Sequence, residues 1–340
     1  MKAIKFFAIT AMAAAMITSC STDDELSQSN YPSDNIIRIT AGVNNAKTRA
    51  DETAGTPLTN PLSLTVVNKN DDATLAKKYT YVGKVFKKDE NEVWKCSETL
   101  LWQKDTQPVD IVAFAPAVEN NPFANVYNNE TREFNGFSYS VAANQSQSKA
   151  FDENDLLYNY TPGFVPGGTN LDENGKLSIQ MNHAFCMIDI IVTLGTEFNV
   201  SGIPSTSPIT EVTLGGTKIE ANVNVAAATD KITATSAAAK DITATPGDFE
   251  APAGNDKEKS CKSHFSCITV PQTVAENTFK VSLITAGKRY EWTSADPVEL
   301  KSGYRYTLEL TMGNDVVLLK GGSITATKWT EIAGGSLETD

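Results

Sequence analysis

Histidine is nearly absent: the chain of 340 residues has two, His183 and His264. Two imidazoles leave few ways to build a Ser-His-acid or Cys-His relay, and neither lies in a Gly-x-Ser-x-Gly type of nucleophile motif. Cysteine is scarce as well. Beyond Cys20, the four cysteines Cys96, Cys186, Cys261 and Cys267 are too thinly spread to staple a fold, so the architecture must rest on hydrophobic cores. Basic residues number 29 against 41 acids, a balance of -12 that argues against nucleic acid as a partner. After the N-terminal segment no apolar run reaches about 18 residues, the length that marks a membrane-spanning helix. Long helical stripes are missing too. The alanine-rich stretch 226–239 carries too many threonines and too few long apolar side chains to bury a helical face.

What is present starts at the N-terminus. Lys2 and Lys5 precede an apolar core from Phe6 to Met16, too short to span a bilayer, which reads as a cleaved export signal over residues 1–19. The core ends in Ile17-Thr18-Ser19-Cys20, which resembles the bacterial lipobox, with Cys20 as the lipidated residue. Asp23-Asp24-Glu25 resembles the acidic surface-export signal of lipoproteins in anaerobic Gram-negative bacteria. Losing Lys2 and Lys5 leaves 27 basic against 41 acidic residues, or -14. The expected partner is then the outer membrane, through acyl chains that each contribute about 0.8 kcal/mol per buried methylene.

Residues 20–35 are polar and read as a lipidated flexible tether. Ordered sequence follows. Ile37, Ile39, Ala41 and Val43 alternate with polar or small residues, the period of two that sends one set of side chains to a core. The same alternation recurs at Leu62/Leu64/Val66, Val109/Ile111/Ala113, Phe279/Val281/Leu283 and Tyr304/Tyr306/Leu308/Leu310. Between Leu177 and Leu194 the apolar parity switches from odd to even, which predicts a bulge or bend near His183 to Met187. The breaker cluster Thr161 to Gly168 is the expected boundary between an N-terminal β-sandwich domain (36–165) and a C-terminal one (166–340). The fold class is all-β, antiparallel sandwiches. A low-complexity insert at 226–257, with Ile232-Thr233-Ala234-Thr235 repeated at Ile242 to Thr245, is expected to be an exposed loop or hairpin.

Chemical motifs are weak. Cys261-x2-His264-x2-Cys267 supplies three of the four ligands that a structural zinc needs, and His183 is in no partner motif. No metal and no cofactor is expected. The residues read instead as strand cysteines of equal parity facing one side, or as a disulfide whose pairing the sequence leaves open. The acidic clusters at 152–155 and 172–175 have the composition of turns and lack the EF-hand spacing. With 41 acids in the chain, carboxylate pairs of the kind that cleave glycosides carry no selective signal. The chain is read as a non-enzyme. Glu119 to Tyr139, rich in Asn and aromatic rings, either presents rings to a sugar or packs them back on the domain. The tryptophans Trp94, Trp102, Trp292 and Trp329 are expected in cores or sheets.

Four stretches together resemble the fimbrillin family, the subunits of the type V pili of Bacteroidales. They are Leu101-Trp102 leading to Val109 to Pro116; Asp155-Leu156-Leu157-Tyr158; Met181-Asn182-His183-Ala184-Phe185; and Leu300 to Leu308 with the closing Ile324 to Trp329. Asn159 and Met181 depart from that family's usual Ala and aromatic residue. The resemblance implies two tandem transthyretin-like β-sandwich domains in a stalk or tip subunit serving adhesion, polymerised with other fimbrial subunits by donor-strand exchange. It also implies that an arginine-specific protease cuts between Arg49 and Ala50. That cut would remove residues 36–49, including the strand of Ile37, Ile39, Ala41 and Val43, and leave an open sheet edge. The donor would be the C-terminal segment of Ile324, Ala326 and Trp329. The alternative is a permanently lipidated anchor subunit or a glycan-binding lipoprotein, with a host or bacterial surface receptor or glycan as partner.

Overall fold

A computed structural model describes residues 29–44, 56–117, 122–147, 153–313, 317–319 and 324–329; Cys20, Arg49 and Ala50 lie outside them. The chain is nearly all β, as its alternating patterns predict. Among the described residues there is one α-helix, α1 (Ala73–Lys78), whose first turn is capped by the Asp72 carboxylate. None is long and apolar enough to cross a membrane.

An eight-stranded sheet holds β1 (Arg38–Val43), β2 (Leu62–Asn68), β3 (Tyr81–Lys88), β4 (Val109–Ala115), β5 (Leu157–Phe164) and β6 (Lys176–His183). Their spatial order is β1-β6-β5-β4-β2-β3, with Thr56–Pro57 and Trp94–Cys96 at the two edges. The breaker cluster at 161–168 does not end this sheet: β5 bulges after Thr161 and re-pairs Phe164 with Val109. β6, beyond the cluster, pairs with both β5 and β1.

The C-terminal half contributes β7 (Cys186–Leu194), β8 (Ile209–Gly215), β9 (Lys262–Thr269), β10 (Lys280–Thr285), β11 (Lys288–Thr293), β12 (Tyr304–Met312) and β13 (Thr325–Lys328). One sheet has the order β9-β7-β12, with Thr245–Glu250 outside β9; Val317–Leu319 and β13 both lie on the far side of β12. A second has the order β8-β10-β11, with Ile242–Thr243 at its edge.

Two hydrophobic clusters divide the interior. One collects Ile37, Ile39, Leu62, Leu64, Ile111, Leu177, Ile179 and Met181; the other runs from Val112 and Phe114 through β7 and β12 to Trp329. β4 serves both. All seven of its residues are buried, with Ile111 and Ala113 turned to the first cluster and Val112 and Phe114 to the second. That is why Ile111 to Ala115 is apolar at every position rather than at alternate ones.

The parity switch after His183 coincides with the bend expected there, at Phe185, and with a change of sheet. β6 ends at His183 and β7 starts at Cys186 in another sheet. The chain crosses from one layer to the next, and the buried side changes with it. Residues 226–257, expected to be an exposed loop or hairpin, begin with the second strand of a hairpin and continue into pairing with other sheets. Ile232–Ala234 pairs with Glu220–Val223, Ile242–Thr243 with β8, and Thr245–Glu250 with β9. Ile242 and Ala244 are buried, and these few side chains anchor a segment whose composition is otherwise featureless.

Candidate functional site

The first described strand is held by backbone pairing and by buried side chains. β1 pairs in parallel with β6 along its whole length, Arg38 opposite Lys176 through Val43 opposite Met181. Just upstream, Ile37 N–H donates to Leu100 O and Trp102 N–H to Asn35 O. Downstream, Asn44 N–H donates to Met181 O and the Asn44 side chain to Asn182 Oδ1, both at 2.8 Å. Ile37, Ile39 and Val43 are buried in the first cluster, and Ala41 packs against it half-buried. The three buried side chains contribute about 5 kcal/mol or more of transfer free energy.

At the crossing between β6 and β7 the sequence boxes converge. His183 is buried and its Nδ1 lies 2.8 and 3.0 Å from the two Asp155 carboxylate oxygens. An ionised carboxylate only accepts, so Nδ1 carries the proton. Nε2 is buried with no hydrogen-bond partner among the described residues. The Trp329 indole lies flat on the imidazole, with ring centroids 3.7 Å apart and planes 8° from parallel. Trp329 N–H donates to Gly303 O at 2.8 Å, and Gly303 N–H donates to Phe185 O at 2.9 Å. Gly303 has φ +71°, a left-handed conformation that turns both of its backbone groups toward the crossing and that a β-branched residue would resist. Close by, Tyr139 reaches Glu153 O with its hydroxyl, and burial pushes its phenol up to about 12, with the Asp155 and Glu153 charges adding to the rise.

A family model described as fimbrillin-like matches residues 48–329, from just after the first strand to Trp329 itself. The chain belongs to the fimbrillin-like family. Three solved structures share the fold. A candidate cell adhesion protein from Bacteroides ovatus has a TM-score of 0.61 at 15% identity, covering 88% of this chain and 99% of that one. Another from Bacteroides uniformis has a TM-score of 0.52 at 16% identity, covering 87% and 100%. A fimbrial protein from Bacteroides vulgatus has a TM-score of 0.50 at 13% identity, covering 86% and 99%. No curated protein matches. Family membership supports a fimbrial subunit of a cell-surface appendage and a non-enzymatic role.

In this fimbrillin-like chain the last strand lies on its own fold. β13 pairs antiparallel with β12, Tyr306 opposite Ala326, and all four of its residues are exposed. Ile324 is half-buried against the second cluster, and Trp329 is its one fully buried anchor. The aromatic stretch expected either to face a sugar or to pack back does the latter. Phe123 stacks on Phe114 at 4.7 Å, Phe137 meets both edge-on, and Tyr127 is buried against Phe134. Cys261, Ser263, Phe265 and Cys267 face inward while His264 faces out toward Glu250, so the cysteines share a side that the histidine does not. All four described cysteines are free thiols, and among the described residues no group of His, Cys, Asp or Glu is arranged to hold a metal ion.

Sequence reading missed His183 and Asp155 as partners, and it placed Trp329 in a core or sheet and in the donor segment without its stacking partner. The signal was the parity switch at His183: a buried histidine at the point where a strand changes sheets needs a partner from another segment. A second cross-strand pair, Asp189 with Arg305, lies on the outer face of β7 and β12. Burial raises the Asp189 carboxyl above its ordinary range, against the pull of Arg305.

Proposed function

We propose that the chain is a structural subunit, stalk or tip, of a fimbria, exported as a Cys20 lipoprotein and polymerised after cleavage between Arg49 and Ala50 removes residues 36–49. The observation that carries this reading is the edge-ward position of β1. Among the described residues its partners are β6 on one side and the two-residue strand Thr56–Pro57 on the other. Pulling it out therefore breaks one long ladder and leaves the rest of the sheet paired.

What remains is an unpaired β6 edge beside the space vacated by Ile37, Ile39 and Val43. An apolar groove next to free backbone donors and acceptors is a template for another strand, in which the ladder gives affinity and alternate pockets give register. The segment from Ile324 to Trp329 is the proposed donor. It is lightly held, exposed along Thr325–Lys328, and close to the end of the chain.

The test is to treat the purified full-length chain with an arginine-specific protease. Cleavage after Arg49 followed by SDS-resistant ladders supports the reading. A native N-terminus at acylated Cys20, with no ladders after treatment, favours a permanent anchor instead.

A further inference from the structure

Among the described residues the first and last strands do not pair with each other, yet they close on adjacent residues at the end of β6. Asn44, at the end of β1, bonds Asn182 through its side chain and the carbonyl just before it, Met181 O, through its backbone. Trp329, at the end of β13, covers His183, the next residue along β6. A cavity of about 160 Å³ lies between the two strand ends, bounded by Asn44, Asn182, His183, Gly303, Lys328 and Trp329.

We propose that the first strand holds the last one in place through this node, so that loss of residues 36–49 releases Trp329 and frees β13. The inference rests on the maturation reading above and supplies its regulation: the donor is locked while the first strand is present.

β13 is exposed along its length, so the buried Trp329 is the main apolar contact that keeps it down. Trp329 needs the His183 ring beneath it; Asp155 holds that ring by its Nδ1, and Asn44 ties the neighbouring residues Met181 and Asn182 of the strand that carries it. When Asn44 leaves, Met181 O and Asn182 Oδ1 lose their donors and the cavity opens to solvent. Water then reaches His183 Nε2, which is buried and unpartnered while the strands are closed. Hydrating that nitrogen favours the state in which the indole has lifted away.

Hydrogen exchange read by mass spectrometry tests the coupling on the full-length chain. After arginine-specific cleavage and loss of the first strand, the amides of Thr325 to Trp329 should exchange about tenfold faster, while those in the middle of β7 stay protected. Asn44→Ala in the uncut chain removes an exposed side chain and should produce a rise of several-fold at the same amides. Arg38→Ala, at the opposite end of β1 where the side chain pairs with Asp34, should leave them unchanged. Unchanged exchange in both the Asn44→Ala chain and the strand-free chain overturns the coupling, and so does an equal rise in Arg38→Ala. If no cut occurs after Arg49, the maturation reading fails by itself, and the Asn44→Ala comparison still decides the coupling.

Discussion

The imidazole of His183 and the indole of Trp329 are stacked at 3.7 Å, although more than a third of the chain separates them in sequence. One ring belongs to the crossing between the layers, the other follows β13, and Asp155 holds the first by its Nδ1 edge. Trp329→Ala removes the anchor and should cost about 3 kcal/mol, with a smaller loss for Trp329→Phe. Asp155→Ala, which leaves the buried Nδ1–H without an acceptor, should cost about 2 kcal/mol, and Asp155→Asn less, since an acceptor oxygen remains. Urea unfolding followed by circular dichroism measures all four.

The first strand contributes packing as well as pairing. Ile39 is buried opposite Leu177, so Ile39→Ala should destabilise the uncut chain by about 3 kcal/mol and Ile39→Val by about 1. Equal stability of wild type and Ile39→Ala in denaturant would show that the strand is not seated in the core.

Acid should loosen the entry to that strand. The Arg38 guanidinium bonded to the Asp34 carboxylate is the main cause holding its pKa at about 2, below the ordinary 3.8. A carboxyl with a lowered folded pKa adds stability that is present above its unfolded value and lost as pH falls, here from about 3.8 down through about 2. Both side chains are nearly half exposed, so the effect is small and salt-sensitive. A carboxyl NMR titration should place Asp34 near 2, and Arg38→Ala should bring it back toward 3.8.

Thiol labelling should sort the cysteines by burial. Cys186, Cys261 and Cys267 are buried, and burial raises all three thiols, so they should stay unlabelled at pH 8 until denaturant is added. Cys96, half-buried on the short strand Trp94–Cys96, should react first. Mass spectrometry after a short pulse of iodoacetamide would sink this ordering if Cys267 were modified as fast as Cys96.

Much of the local structure was legible. Alternation at Ile37 to Val43 and at Tyr304 to Leu310 marks real strands with the expected inward residues, and Asp172-Glu173-Asn174-Gly175 forms the turn its composition predicts. In that turn the Asp172 carboxylate accepts from Asn174 and Lys176, and Gly175 takes φ +70°. These features depend on neighbours in sequence, and steric preference within a few residues decides them.

The sequence by itself determined an all-β chain and which side of its alternating strands faces a core. Tertiary structure alone decided that β1 runs parallel to β6, that Val109 to Ala115 serves two cores, and that Asp155, His183, Gly303 and Trp329 meet at one crossing. The reason is physical. A period of two tells which face a residue takes, but every extended strand offers the same backbone donors and acceptors, so only packing among distant segments selects its partner.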